Sequence, residues 1–84
     1  MTWLYIFWDL GPGGNAEHIA EHGLDVEEVE YVLRHPEQDA VSRSSRRPIV
    51  FGHTPSGEYL AVVYEEFDAD TVYPITAFPV EEQS

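Results

Sequence analysis

Residues 15–36, NAEHIAEHGLDVEEVEYVLRHP, decide the fold, because they spell two short helices and the corner between them. Asn15 follows a Gly-Pro-Gly-Gly run and is a residue type that caps helix N-termini. Ala16, Ile19 and Ala20 then form an apolar stripe at helical spacing, and Gly23 stands where a helix closes on a left-handed residue. Leu24, one step on, is placed to fold back onto Ile19. This first helix is roughly two turns long, too short to hold without packing. The second starts at once. Asp25 and Glu28 have the spacing of a capping box, and Leu24 and Val29 that of a hydrophobic staple. Val26, Val29, Val32 and Leu33 predict its buried face, Glu27 and Glu30 its wet face, and Pro36 stops it.

Outward from this αα-hairpin the pattern is that of strands. Upstream, Trp3–Trp8 is an unbroken aromatic and aliphatic run, predicted as a strand packed on both faces and bounded by Gly11-Pro12-Gly13-Gly14. Downstream of Asp39 the period is two. Ala40–Ser42 predicts a weak strand, followed by the polar, basic stretch Arg43-Ser44-Ser45-Arg46-Arg47. Ile49–Thr54 and Glu58–Phe67 predict strands joined by a Pro55-Ser56-Gly57 turn. Tyr59–Tyr64, apolar without a break, predicts a central strand covered on both sides. Asp68-Ala69-Asp70 turns the chain into Val72–Phe78, where Pro74 and Pro79 predict an edge position or a bulge. Residues 81–84 are expected to be a frayed tail. The order β-α-α-β-β-β-β is that of an α+β domain spanning residues 1–84, with the helical hairpin on one face of a mostly antiparallel sheet.

The chain has 84 residues, no cysteine and no lysine, and sixteen acids against four arginines leave it at −12. Neither a disulfide framework nor a cysteine-ligated zinc site is open to it. It has no apolar run of the length that spans a bilayer and no basic segment ahead of an apolar stretch, so a bacterial, cytoplasmic protein with no membrane attachment is expected. Its charge repels nucleic acid and anionic lipid and favours a basic partner or salty surroundings. With 43% hydrophobic and 13% aromatic residues the chain folds rather than behaving as a disordered acidic tail.

Certain residues stand at the joints of this order: Trp8-Asp9 after the first strand, Asn15 and His22-Gly23, Glu27-Glu28 opening the second helix, and Pro36. Further on come Phe51-Gly52, Gly57, Val62-Val63-Tyr64 and Thr76-Ala77. Together, over about residues 5–78, they resemble the BrnT-like toxins of the RelE/ParE superfamily. That resemblance implies a RelE/ParE-like fold and a toxin of a type II toxin–antitoxin pair: a small metal-independent endoribonuclease neutralised by a cognate DNA-binding antitoxin. Three departures all remove positive charge. A Gly-Pro-Gly-Gly loop replaces the lysine that follows Trp-Asp in the family. Phe78-Pro79 replaces the arginine after Ser-Ala, and the chain ends before a basic C-terminal helix. The expectation is therefore a toxin-type protein whose activity is weak or lost. The alternative is a non-catalytic acidic interaction module on the same fold.

Cleaving RNA without a metal requires a base for the 2′-hydroxyl, an acid for the leaving oxygen and cations on the phosphate. Arginine is the usual supplier of the last. Arg43, Arg46 and Arg47 fall within five residues, and His53 follows six residues after Arg47, so a shared cleft is expected. The assignment is His53 as base or acid, Arg46 and Arg47 as phosphate clamps, and Tyr64, with Tyr73, as hydroxyl donor or stacking platform. The plainer reading makes the arginines a solvated loop paired with surface acids and His53 a strand-end residue. No cofactor is implied. His18 and His22, one turn apart, have the spacing of a two-histidine metal site but lack further ligands, so no metal is assigned. The glycine-rich loop lacks the Gly-Lys-Ser/Thr ending of a phosphate loop. Acid pairs such as Glu65-Glu66 point apart and read as solvated faces. RNA is disfavoured by charge; a cognate antitoxin or another basic protein is the expected partner, and a homodimer stays open.

Overall fold

The computed structural model describes residues 5–42 and 46–81. Within them the chain runs β1 (Tyr5–Ile6), α1 (Asn15–Glu21), α2 (Val26–Arg34), β2 (Gln38–Val41), β3 (Pro48–His53), β4 (Tyr59–Glu66) and β5 (Thr71–Pro79). This is an α+β arrangement of two helices and a five-stranded mixed sheet ordered β1-β5-β4-β3-β2. Adjacent strands are antiparallel except β1, which lies parallel to β5. No helix among the described residues is long and apolar enough to cross a membrane.

The corner between the helices closes as its sequence predicts. Gly23 takes a φ of 78°, its N–H donates to Ala20 O at 2.9 Å, and the Leu24 N–H donates to Ile19 O at 3.2 Å. That pair of bonds is a Schellman motif, which satisfies carbonyls the helix end would otherwise leave orphaned. It also delivers Leu24 onto Ile19 in the core. Asp25 caps α2, and the Glu28 carboxylate accepts the Asp25 N–H at 3.0 Å in a capping box. Val29, Val32 and Leu33 are buried; Val26 packs beside them. Glu30, expected on the wet face, instead accepts the Trp8 Nε1–H at 2.7 Å.

Side chains alternate across each strand. Val50, Leu60, Val62, Tyr64, Val72 and Ala77 face the helices and form one core with Ile19, Leu24 and the α2 valines. The β3–β4 register pairs Ile49 with Val63, Phe51 with Ala61 and His53 with Tyr59, and alternation puts these on the opposite face.

Four expectations need correction. The run Trp3–Trp8 is not a strand packed on both faces: within the described residues only Tyr5–Ile6 is strand, at the sheet edge. Ile6 and Trp8 lean on the core while Tyr5 and Phe7 stay exposed, because an edge strand has helices on one side only. Trp3 and Leu4 lie outside the described residues. Second, Gly14 is the N-cap of α1 and Asn15 its first helical residue, buried with its side chain spent elsewhere. Third, β5 is not an edge strand, and the bulge expected as the other possibility for its prolines is present. The β4–β5 register slips between Val63 and Tyr64, bringing Pro74 opposite Tyr64, while β5 itself is flanked by β1 and β4. Fourth, β2 begins at Gln38, ahead of Ala40, and ends at Val41. Of the expected tail, residues 82–84 lie outside the described residues, as do residues 43–45 with Arg43.

Candidate functional site

Glu37 and His53 form the best-defined polar pair on the surface. Glu37 sits in the turn between α2 and β2, where its own N–H donates to Phe51 O at 2.8 Å. One carboxylate oxygen, Oε2, accepts the His53 backbone N–H at 2.9 Å and lies 2.8 Å from His53 Nδ1. These hydrogen bonds, the side-chain one first, hold the Glu37 carboxyl below the usual carboxylate range. An ionised Glu37 therefore faces Nδ1, the geometry in which a carboxylate orients an imidazole.

Local backbone puts the pair together. The end of α2 presses against β3 at Gly52, where a Cβ would stand 3.2 Å from His35 O and 3.3 Å from Val32 Cγ1. A side chain here would crowd the approach of the α2–β2 turn, and the glycine between Phe51 and His53 leaves that approach open. His35 closes α2, its ring stacked on Tyr31 with centroids 4.3 Å apart.

Across the hairpin, the Tyr59 ring lies 4.7 Å from His53 and is stacked with Phe51 at 6.1 Å, the planes 19° apart. The Val80 N–H donates to Tyr59 O at 3.0 Å, bringing Glu81 to the same place. Together Glu37, Gln38, Phe51, His53, Tyr59, Val80 and Glu81 line an open cleft of about 490 Å³, within the range of ligand-binding clefts. Its floor is aromatic and its rim acidic.

Arg46 and Arg47 are elsewhere. Arg47 lies on the same face as His53 but at the other end of β3, six residues away, or roughly 20 Å along an extended strand. The expected shared cleft is not formed. Arg47 Nε donates to Glu65 Oε1 at 3.1 Å, in a partly exposed ion pair. Arg46 has a φ of 59°, and its N–H donates to Ser42 O at 2.8 Å. Tyr64 faces the helices, within the core, and burial, reinforced by Glu66 and Asp39, pushes its hydroxyl above the ordinary phenol range. Its hydroxyl is on the opposite side of the sheet from His53. Tyr73 is nearer Arg47: it pairs with Glu65 across β4 and stacks with Phe7 and Phe67, centroids 5.6 Å apart in each case.

Among the described residues no group of three or more His, Cys, Asp or Glu is placed to hold a metal ion. His18 and His22 meet edge to face at 5.4 Å, and His22 serves as the C-cap of α1. In the glycine-rich loop, the Gly11 N–H is taken by Asp9 Oδ1 at 3.0 Å and the Gly14 N–H by Gly11 O at 3.1 Å.

Of the residues that line this cleft, the sequence pattern singles out His53 as a candidate and gives no such role to Glu37, Tyr59 or Phe51. Tyr59 was accessible, since a turn centred on Pro55-Ser56-Gly57 pairs residue 53 with 59 by symmetry. Glu37 carried no signal, because it reaches β3 from a turn 16 residues away in sequence. No family model matches the chain, and no curated protein or solved structure is significantly similar to it.

Proposed function

We propose that this chain is a BrnT-like, toxin-type protein on a RelE/ParE-like scaffold that works by binding a basic protein partner, with endoribonuclease activity weak or lost. One observation carries the reading: the groups that metal-independent cleavage needs are dispersed. An imidazole at one end of β3 and an arginine roughly 20 Å away cannot act on one phosphodiester, whose reacting atoms must lie within hydrogen-bond reach of both. The hydroxyl of Tyr64 is on the other face. Around His53 the rim carries Glu37 and Glu81, which repel the phosphates that supply most nucleic-acid affinity.

What the chain offers in place of cations is a −12 field, which attracts basic surfaces and speeds encounter with them. In the type II arrangement that partner would be the cognate antitoxin. Self-association would bring two acidic chains together, so the partner is placed outside the chain. A second reading, retained catalysis at the His53 end, is favoured by the Glu37–His53 hydrogen bond, which is how a general base is oriented.

The test pairs two assays at low salt. Purified protein, with His53→Ala and Arg47→Ala, is incubated with mixed single-stranded RNA; the same protein is titrated against fluorescein-labelled oligoarginine as salt is raised. Intact RNA and saturable peptide binding that weakens through the screening range are expected. RNA cleavage abolished by His53→Ala would replace this reading with the catalytic one. Absence of peptide binding at the lowest salt would remove it altogether.

A further inference from the structure

We infer that the cleft between Glu37, Phe51, His53, Tyr59 and Glu81 is a receptor for a guanidinium group, taking an arginine side chain from the protein partner. The inference rests on the interaction reading above and gives that reading a place on the surface. Net charge alone does not choose a site, since sixteen acids are spread over the chain. What distinguishes this cleft is a stacked pair of rings flanked by carboxylates. Phe51 and Tyr59, nearly parallel at 19°, offer π faces of one orientation in the lining of an open cleft of about 490 Å³. A planar cation over such faces is attracted by the ring quadrupoles, and arginine does this more often than lysine.

The polar rim has the complementary charge. Glu37 is ionised, and the bonds from His53 use its Oε2 and so fix the position of the whole carboxylate. Glu81 is brought to the same cleft by the Val80–Tyr59 hydrogen bond. No arginine is among the described residues that line the cleft. A bare metal cation is the wrong occupant, since the described residues nowhere gather the three ligands that would hold one. Phosphate is wrong in sign. A guanidinium meets both requirements, with donors for carboxylates in its plane and a face for the rings.

The exposed aromatic group of Phe7, Phe67 and Tyr73, at the far end of the same sheet, has its rings beside Glu65, whose carboxylate already accepts from Arg47, and is the internal comparison. If the inference holds, arginine peptides perturb the first group and leave the second unchanged.

The experiment is an NMR titration of the ¹⁵N-labelled full chain with three capped tripeptides, Gly-Arg-Gly, Gly-Lys-Gly and Gly-citrulline-Gly. Oligoarginine binding is measured in parallel for the wild type, Glu37→Gln, Tyr59→Leu and Glu17→Gln. Saturable shifts at Phe51, His53 and Tyr59 are expected, strongest for arginine, weaker for lysine and absent for the neutral isostere citrulline. Tyr59→Leu should weaken oligoarginine binding about threefold to fivefold, the worth of an exposed cation–π contact. Glu37→Gln should weaken it comparably, and Glu17→Gln, the same charge change on α1, much less. Equal response to citrulline, or shifts centred on Phe7 and Tyr73, would overturn the inference. Oligoarginine binding that Glu37→Gln and Glu17→Gln weaken alike would overturn the cleft and leave the acidic module standing. Failure of oligoarginine to bind would overturn both.

Discussion

Asn15 offers the sharpest contrast between two physical accounts of one residue. As an N-cap it would serve one orphan N–H, its replacement by alanine would cost about 1 kcal/mol, and aspartate would serve equally well. In the structure it is 4% exposed and joins three segments. Its Oδ1 accepts the Asp9 N–H at 2.7 Å, while Nδ2 donates to Phe7 O at 3.0 Å and to Pro74 O at 2.8 Å. The segment after β1, the start of α1 and the bulged stretch of β5 therefore meet on one amide. Asn15→Ala removes all three bonds. At about 1 kcal/mol net for each, the loss is about 2–4 kcal/mol. For a domain of this size that lowers Tm by roughly 10–25 °C. Asn15→Asp is the decisive variant. It keeps the acceptor for Asp9 but turns a carboxylate oxygen toward two carbonyls, so it should be at least as damaging as alanine at neutral pH. Protonation restores one donor, which raises the folded-state pKa of the new carboxyl. The variant therefore keeps its stability below the ordinary carboxylate range and loses it as pH rises through the raised value. Urea unfolding followed by tryptophan fluorescence at about pH 4 and about pH 7 reads both effects. An Asn15→Asp chain within about 0.5 kcal/mol of wild type at neutral pH would refute the three-bond account and restore the cap.

Other consequences are equally direct. Because the bonds from His53 lower the folded-state pKa of Glu37, the pair adds stability that is present above the ordinary carboxylate range and lost as pH falls. Glu37→Gln should accordingly flatten the acid limb of a Tm-against-pH curve, and an unchanged limb would show that the pair is not formed in solution. Tyr64, pushed up by burial, should ionise after the exposed tyrosines in an absorbance titration at alkaline pH. Its share of stability is full below the ordinary phenol value and declines as pH rises past it, so Tyr64→Phe should resist alkaline unfolding better. Gly52→Ala places a methyl 3.2 Å from His35 O and should cost about 1–3 kcal/mol in urea unfolding, through overpacking between α2 and β3.

The legible parts of this fold are those set by neighbours in sequence. The capping box of Asp25 and Glu28 and the closure at Gly23 depend on residues within one turn, and both form where their spacing places them. Asn15 was misread for the converse reason: Gly14 takes the cap, and the Asn15 amide is claimed by Pro74, 59 residues away. Tyr64 ends an unbroken apolar run, Tyr59–Tyr64, in which alternation is invisible. Only the helices, by covering one face, decide that its hydroxyl turns away from His53. The spacing of Arg47 and His53 looked intimate in sequence, yet on one extended strand six residues are the length of the sheet. Glu37 had no pattern at all, because a turn and a glycine bring it to His53.

The surplus acid is a cost to this fold rather than a support. Sixteen carboxylates on so small a body repel one another in the compact state more than in an extended chain, so screening should raise stability. Charge that the fold itself disfavours is consistent with a function elsewhere, and two sources fit: adaptation to salt, or a basic partner that neutralises the field. Only the second predicts that a basic peptide stabilises the chain. Salt should raise the Tm of the free chain in either case. A bound basic peptide also raises Tm, by mass action, because it binds the folded state. Its contribution shrinks as salt screens the attraction, so the gap between bound and free melting curves should narrow just as the free curve climbs. A gap that persists unchanged from low salt to about 1 M, where the Debye length is about 3 Å, would mean that apolar contact rather than charge holds the peptide. The aromatic floor beneath Glu37 and Glu81 would then carry the binding, and their carboxylates would serve to exclude the wrong partner more than to hold the right one.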